Sequence, residues 1–424
     1  MTARLVRRSG EVVLAVTGVA WLVTLVRILR HRIFASHDTL ISYAHVWYIS
    51  RRLWHDHIVP FRMPVLGHGR AFAFPYGFVP WLTAAVFRPL AGDRIVTLWL
   101  VLGVVGIVVT TFLAFPEMRR GWWAVAVVTD TALFSIPVSG QLVFAWGASL
   151  LLGAVACWRR GHRRWAIVLA ALAQITHPAI IGPITLGLVV GRWRWEGDRR
   201  RLLRAYVAAT VPAVPFGLLV LASPVAADAS IGTKIGELAV TLGPRCLIVA
   251  VPAIGAVLVR RRVPELVAAV LSVMLVAATV VTWHVQDLTW AWGQISRSPD
   301  SVMADFARTP AFEPGRTYRV MQSRDGKVEM YEALKGGARL DGEFFPESLL
   351  RHGFANAAVY SSALRQRKVD VVVIFDRYTR NVHTNERRLL DDLARAPHAC
   401  DGPRVCVRLK LRTPLFRVYD VTRS

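Results

Sequence analysis

The residues that could carry chemistry are concentrated in one segment near the N-terminus, from His31 to Tyr76. This segment contains six of the twelve histidines in the chain and two carboxylates, Asp38 and Asp56. A carboxylate in such a segment can act as a general base or hold a divalent metal ion. Apolar and aromatic residues at helical spacing predict an amphipathic helix over 39–54, lying in the plane of a membrane surface. Asp38 is therefore either a functional carboxylate or the cap of that helix.

Ionisable residues inside apolar runs are further candidates, because burying them in lipid is costly. Asp130 either binds substrate or makes an interhelical hydrogen bond or ion pair. Arg245 either holds a phosphate or extends to the membrane surface. His177, in a Thr-His-Pro sequence, either lines a cavity or satisfies backbone groups freed at a turn. His68 and Arg70 form a flexible cationic stretch that either contacts a phosphate or is solvated.

The composition is that of a membrane protein. Apolar residues make up 54% of the 424 residues and charged residues 19%, against about 25% charged in soluble domains. The net charge is +24 and comes almost entirely from arginine. These arginines form short clusters between apolar runs, as in loops that face a cytoplasmic leaflet, so a nucleic-acid partner is not expected. A purely cytosolic enzyme, a disordered chain and a disulfide scaffold are excluded.

Apolar runs predict nine or ten membrane crossings. The first run is an uncleaved span that starts near residue 11, and the others cover about 76–91, 95–115, 121–137, 142–157, 165–190, 206–222, 236–258 and 263–283. The run 165–190 is too short for two ordinary spans, and is interpreted as two short helices that meet at a polar turn on the outer side.

The arginine clusters are expected to be cytoplasmic, with an even number of crossings between any two of them. Three apolar runs precede Arg119 and Arg120, where an even number of crossings is expected. Either 76–91 is only partly inserted, or Arg119 and Arg120 lie outside. The last run then places the C-terminal region outside the cytoplasm. A disulfide between Cys400 and Cys406 is plausible there.

Two domains are predicted: a transmembrane helical domain over 1–283, with the outer loop 31–75, and an extracytoplasmic α+β domain over 284–424. In the second, strands are expected near 317–321 and 369–375, a helix near 384–393 and a terminal hairpin over 405–421. Asp341 lies in a carboxylate-rich stretch that either helps to select an acceptor or forms turns. The domain contains no nucleotide-binding or hydrolase motif and is not expected to be an enzyme by itself.

Several of these features together resemble GT-C-fold integral membrane glycosyltransferases. They are the uncleaved first span, a long outer loop opening with Asp38, an interfacial aromatic helix and the aromatic-Pro stretch FAFPYGFVP over 72–80. The polytopic body, basic inner loops and C-terminal outer domain are also similar. The resemblance covers the first 190 or so residues best. The usual acidic pair of the family is not adjacent here, since only Asp38 matches and Asp56 lies eighteen residues further on.

The resemblance implies a GT-C-like enzyme of the cell envelope that moves a hexose or pentose from a polyprenyl-phosphate donor to a glycan or lipid acceptor on the outer membrane face. Asp38 would be the catalytic base, and a divalent metal ion stays open as a cofactor. The substrate-binding candidates are Arg245, His177, His68, Arg70, Asp130 and Asp56. The alternative is a non-catalytic polytopic membrane protein, either a transporter or an envelope-assembly scaffold. A transporter should show matching broken helices in two halves, and only one broken segment is evident, at 177–183.

Overall fold

The computed structural model describes residues 3–34, 36, 39–66, 77–193, 196–221, 231–285, 292–293, 309–320, 326–341, 354–375, 385–395, 405–414 and 416–423. Contacts divide the chain into two compact units. Unit 1 comprises Met1–Pro60, Phe74–Ala222 and Ser230–Asp300. Unit 2 comprises Phe61–Ala73, Ser223–Ala229 and Ser301–Ser424.

The secondary structure of unit 1, in its described residues, consists of helices. Its helices are α1 (Ala3–Arg30), α2 (Thr39–Asp56), α3 (Phe78–Ala91), α4 (Arg94–Ala114), α5 (Gly121–Val128), α6 (Thr131–Ser139), α7 (Leu142–Arg159), α8 (Arg163–Thr176), α9 (Pro178–Trp193), α10 (Arg199–Thr210), α11 (Val214–Leu221), α12 (Ile231–Arg260) and α13 (Glu265–Val285). Within the described ranges, six segments are long and apolar enough to cross a membrane: Arg4–Arg30, Arg94–Ala114, Gly121–Ser139, Leu142–Arg159, Leu242–Arg260 and Glu265–His284. The chain is therefore a helical membrane protein, and the count of nine or ten crossings stays a prediction.

Several of the arginine clusters come together at one end of unit 1, here called the basic end. Glu117, in the turn between α4 and α5, accepts hydrogen bonds from Arg159 of α7 at 2.6 Å and from Arg260 of α12 at 2.7 Å. Trp122 Nε1 donates to the backbone oxygen of Val6 in α1 at 3.0 Å. Burial raises the pKa of Glu117, but the hydrogen bonds from the two arginines outweigh it and lower the pKa to about 2.

The length of helix α3 bears on the number of crossings before Arg119 and Arg120. The helix has 14 residues and rises about 21 Å, less than the roughly 30 Å of a bilayer core. Because Trp122 contacts the start of α1, the neighbouring Arg119 and Arg120 belong to the basic end. Among the described segments before them, only Arg4–Arg30 and Arg94–Ala114 are both long and apolar enough to cross a membrane. The short length of α3 favours the alternative in which 76–91 is only partly inserted, and the number and direction of the crossings stay predictions.

Helix α2 confirms the helix expected over 39–54 but differs in its burial. Leu40 and Tyr43 are buried as expected, and so are Ser42 and His45 on other faces. The ring of His45 stacks on Trp81 of α3 with 4.1 Å between centroids, and Trp81 Nε1 donates to Ser42 Oγ at 3.1 Å. The first part of α2 is thus enclosed by α3 and α4, because its small polar residues allow close helix packing. A helix with one buried face was expected instead.

The predicted pair of short helices is confirmed as α8 and α9, which meet at His177. Helix α7 ends at the basic end, so α8 begins there and runs away from it. Helix α10 runs in the same direction as α8, since Thr210 near its end donates to Gln174 near the end of α8 at 3.2 Å. The chain therefore turns back in α9. Proline at 178 suits the first position of α9, where its missing N–H costs nothing.

Unit 2 contains a five-stranded mixed sheet in the order β2-β1-β3-β5-β4. The strands are β1 (Thr317–Val320), β2 (Arg339–Leu340), β3 (Val371–Phe375), β4 (Val405–Arg412) and β5 (Phe416–Arg423), and the helices are α14 (Gly326–Lys335), α15 (Ala357–Gln366) and α16 (Glu386–Arg395). Strand β1 pairs in parallel with β2 and β3, while β5 is antiparallel to β3 and β4. The expected terminal hairpin is therefore confirmed. Cys406 of β4 is disulfide-bonded, and Cys400 lies outside the described residues.

A buried ionic network joins β1 to α16. Arg319 donates through Nε and Nη2 to the two carboxylate oxygens of Glu386, at 2.8 and 2.9 Å, and through Nη1 to Asp341 at 2.9 Å. Tyr360 donates to Glu386 at 2.8 Å. Burial lowers the pKa of Arg319, but the charge of Glu386 outweighs this and raises it. Asp341 is therefore an ion-pair partner inside this domain.

Part of the first outer loop belongs to unit 2. Leu340 of β2 donates its backbone N–H to the oxygen of Val65 at 2.8 Å, and Leu66 forms a parallel bridge with Leu340. Met63 and Leu66 are buried. The loop thus covers the β2 edge of the sheet, which would otherwise present unpaired backbone groups.

Candidate functional site

The chain on both sides of Asp38 is anchored to the turn between α6 and α7. Ser36 Oγ donates to the backbone oxygen of Val138 at 2.5 Å, and the Ser36 N–H donates to Thr39 Oγ1 at 2.9 Å. Thr39 lies against Gly140, whose φ of +72° suits glycine, and a Cβ there would come 2.2 Å from Thr39 Cγ2. Asp38 itself lies outside the described residues. Its described neighbours are held at the end of the bundle opposite the basic end.

Arg245 and His177 meet at the ring of Phe144. The guanidinium carbon of Arg245 lies 5.1 Å from the ring centroid, a cation–π arrangement. The His177 ring meets Phe144 edge-on, with 6.1 Å between centroids and an angle of 90°. His177 is buried and Arg245 is half-buried. Two candidates from distant parts of the sequence are thus brought to one aromatic side chain.

The same short stretch of chain contacts both groups of candidates. Phe144 lies in the first turn of α7 and follows Gly140 of the α6–α7 turn by four residues. Gly140 contacts Thr39, and Phe144 lies beneath Arg245. The α6–α7 turn and the first turn of α7 therefore contact both the segment that flanks Asp38 and the guanidinium of Arg245.

Close packing holds His177 in place. A Cβ on Gly147 of α7 would come 2.9 Å from Ile181 Cγ1 and 3.5 Å from His177 Cβ, so the glycine lets the α8–α9 turn approach α7. The backbone oxygen of Thr176 accepts a hydrogen bond from the N–H of Gly77 at 3.0 Å, which ties the turn to the start of α3. The turn that carries His177 is therefore a packed element.

Asp130 lies away from this cluster and caps a helix. Its Oδ1 accepts from the backbone N–H groups of Ala132 and Leu133 at 2.8 and 3.2 Å. The adjacent Thr131 donates to the backbone oxygen of Leu275 in α13 at 3.0 Å. The nine residues of α6 separate Asp130 from the α6–α7 turn, about 14 Å of helix. Its Oδ2 is buried without a hydrogen-bond partner among the described residues, and its substrate-binding role stays a prediction.

Asp56 ends α2 as an ion-pair partner. It pairs with Arg52 at 2.5 Å and with His55 at 3.2 Å. His68 and Arg70 lie outside the described residues. Within the part of the chain that the structure describes, no three His, Cys, Asp or Glu side chains are close enough together to hold a metal ion.

Sequence reasoning did not select two residues that the structure places in this region. Phe144 is one aromatic residue in a long apolar run and carries no signal of its own. Gln174 is a polar residue in an apolar run, which was the available signal. It is buried, and its Oε1 accepts the hydrogen bond from Thr210.

Comparison with known proteins places the chain by its fold. No protein-family model and no curated protein matches the sequence. The structure is similar to that of the archaeal oligosaccharyltransferase AglB from Archaeoglobus fulgidus, solved with an inhibitory peptide and a dolichol-phosphate. The TM-score is 0.51 at 12% identity, over 85% of this chain and 69% of that one. ArnT from Cupriavidus metallidurans bound to undecaprenyl phosphate matches at 0.46 and 15% identity, over 97% and 98%. The likeness to AglB confirms, at the level of the fold, the predicted resemblance to GT-C-fold membrane glycosyltransferases.

Proposed function

We propose that this chain is a membrane glycosyltransferase that moves a sugar from a polyprenyl-phosphate donor to a glycan or lipid acceptor. The observation that carries the proposal is the meeting of Arg245 and His177 at Phe144. They meet beside the turn to which the neighbours of Asp38 are anchored. The GT-C fold supports the same reading.

The proposed reaction uses two charged side chains. An acceptor hydroxyl attacks the anomeric carbon of the sugar while its proton passes to the carboxylate of Asp38. The bond between that carbon and the phosphate oxygen breaks, and the phosphate leaves with the electron pair as polyprenyl monophosphate. Arg245 stabilises this phosphate, because a guanidinium can donate two hydrogen bonds to neighbouring phosphate oxygens. His177 forms part of the wall of the same site.

The proposal includes the side of the membrane on which transfer occurs. The arginine-rich end of unit 1 faces the cytoplasm by the positive-inside rule, so the site opens on the other face. Residues 284–424 are then extracytoplasmic. The disulfide at Cys406 supports this, because disulfides persist in oxidising compartments.

Two substitutions test the roles separately. Membrane vesicles that carry the full chain are supplied with a labelled polyprenyl-phosphate sugar, and label in membrane glycan or lipid is measured. Asp38→Asn is expected to lower transfer by about 100-fold or more, the usual worth of a general base, while donor binding stays unchanged. Arg245→Gln is expected to lower transfer and also to weaken binding of the donor.

Arg51→Gln is the matched control, because Arg51 also lies over an aromatic ring, that of Trp47 at 6.0 Å. It should leave transfer and binding unchanged. Transfer at the normal rate by Asp38→Asn would show that Asp38 is not the base. If the wild-type chain transfers no sugar and binds no polyprenyl phosphate, the non-catalytic transporter or scaffold becomes the better description.

A further inference from the structure

In Gln174, in the last turn of α8, one amide atom forms a hydrogen bond and the other forms none with the described residues. Its Oε1 accepts a hydrogen bond from Thr210 Oγ1 at 3.2 Å. The residue is 2% exposed, and its Nε2 is buried with no hydrogen-bond partner within the described part of the chain. Buried amide N–H groups are nearly always bonded in folded proteins. This donor therefore requires a hydrogen-bond partner that the described residues do not supply.

The position of Gln174 indicates what that partner is. It precedes His177 by three residues, so the two residues lie within about one turn of each other at the end of α8. His177 contacts Phe144, over which the guanidinium of Arg245 lies. A buried N–H donor close to a cation favours an anionic acceptor, and phosphate oxygens accept such charge-assisted hydrogen bonds strongly.

We propose that the Nε2 amide of Gln174 donates a hydrogen bond to the phosphate of the polyprenyl lipid, and so acts with Arg245 to distinguish the phosphorylated lipid from its alcohol. The inference rests on the proposed function, since it adds a residue to the phosphate site assigned there. Arg245 supplies the charge. Gln174 supplies a neutral hydrogen-bond donor through Nε2, while its Oε1 accepts from Thr210.

The two ends of the amide allow the binding role and the structural role to be tested separately. Thr210→Val removes the hydrogen bond to Oε1 and leaves Nε2 in place. Gln174→Met keeps a side chain of similar length and removes the donor, at low risk to folding in an apolar helix. Gln174→Asn keeps an amide but withdraws it by one methylene, and serves if the Met variant is unstable. Thermal unfolding of each purified full-length variant measures the structural role.

Binding is measured with two probes, polyprenyl monophosphate and the matching polyprenol, on the full chain in nanodiscs. Wild type should bind the phosphate form more tightly than the alcohol. Gln174→Met and Gln174→Asn should weaken binding of the phosphate form by about tenfold, the usual worth of a hydrogen bond to a charged group. Their affinity for the alcohol should not change. Thr210→Val should keep the wild-type preference for the phosphate form.

The outcomes separate this inference from the function on which it rests. If Arg245→Gln loses the preference for phosphate while both Gln174 variants keep it, the Gln174 inference is wrong and the phosphate site stands. The inference is also wrong if Thr210→Val weakens phosphate binding as much as Gln174→Met, since the role of Gln174 would then be structural. If Arg245→Gln keeps the full preference, the proposed phosphate site itself is wrong.

Discussion

The contact between Gly140 and Thr39 allows a quantitative test of how the segment around Asp38 is held. Gly140→Ala adds a methyl group at φ +72° and 2.2 Å from Thr39 Cγ2. A left-handed backbone costs a non-glycine residue about 1–2 kcal/mol, and overpacking costs about 1–3 kcal/mol. We expect the substitution to lower the free energy of unfolding by about 2–5 kcal/mol.

The effect on transfer should be larger than the effect on stability suggests. Ordinary contact between carbon atoms is about 3.5–4.0 Å, so Thr39 must move by more than about 1 Å to accept the methyl group. Asp38 is the residue before Thr39 in the sequence. A displacement of about 1 Å at a reacting group can lower a rate by about 100-fold, and we expect a loss of that order.

Two further variants separate backbone strain from the clash. Gly161→Ala is the control for strain, because Gly161 has a φ of +82° and nothing within 4 Å of its added Cβ. It should cost only about 1–2 kcal/mol and leave transfer unchanged. Thr39→Ser in the Gly140→Ala background removes the methyl group that clashes and keeps the hydroxyl that bonds Ser36. Recovery should be partial, since Thr39 Cβ would still be 3.1 Å away.

Thermal unfolding and sugar transfer are measured on the same purified proteins. Equal losses in Gly140→Ala and Gly161→Ala, with no recovery from Thr39→Ser, would refute the reasoning. The contact between Thr39 and Gly140 would then have no part in positioning Asp38.

Three further predictions concern the rest of the chain. Glu386→Gln should destabilise unit 2 by about 3–5 kcal/mol, because it breaks a buried pair with Arg319. Glu313→Gln breaks a pair with Arg316 in which the Glu313 side chain is 46% exposed, so it should cost about 0–1 kcal/mol. Proteolysis of the full chain in increasing urea measures both, and equal effects would contradict the burial argument. The pKa of Glu117 is lowered from 4.5 to about 2, so its contribution is complete above pH 4.5 and disappears as the pH falls toward 2. Glu117→Gln should therefore be less stable than wild type by about 1–2 kcal/mol at neutral pH, and melting curves that stay apart at pH 2 would count against this. Val359→Cys, at a position 48% exposed, should react with an impermeant maleimide in intact cells when the free cysteines Cys157 and Cys246 are replaced by alanine; reaction only after permeabilisation would place unit 2 in the cytoplasm.

Local pattern was sufficient to predict many of the elements of the fold. The helix after Asp38, the pair of short helices around His177 and the terminal hairpin follow from apolar periodicity and from proline, whose effects act over a few residues. The common end of the arginine clusters follows from charge alone. The burial of α2 on several faces did not follow, because it depends on α3 and α4 enclosing its polar residues.

Long-range backbone pairing could not be predicted. Leu66 pairs with Leu340 through backbone groups, which every residue carries, so neither segment bears a side-chain signal of the contact. The parallel pairing of β1 with β3 could not be predicted either, because the sequence of a short buried strand does not indicate the direction of its neighbour. Phe144 could not be identified as the partner of Arg245 because an aromatic residue in an apolar run has many equivalent neighbours. Gln174 could have been identified, since an uncharged amide in an apolar helix also needs a partner.

The start of α7 gives the proposed reaction its geometry. The proposed base must meet the acceptor, and the proposed phosphate ligand must meet the leaving group on the other side of the same anomeric carbon. Both depend on positions only four residues apart, Gly140 and Phe144. Gly140 ends α6 and Phe144 lies in the first turn of α7, so the two positions belong to one short connection between packed helices. In the proposed function, this connection links the segment that carries the base to the ligand of the phosphate.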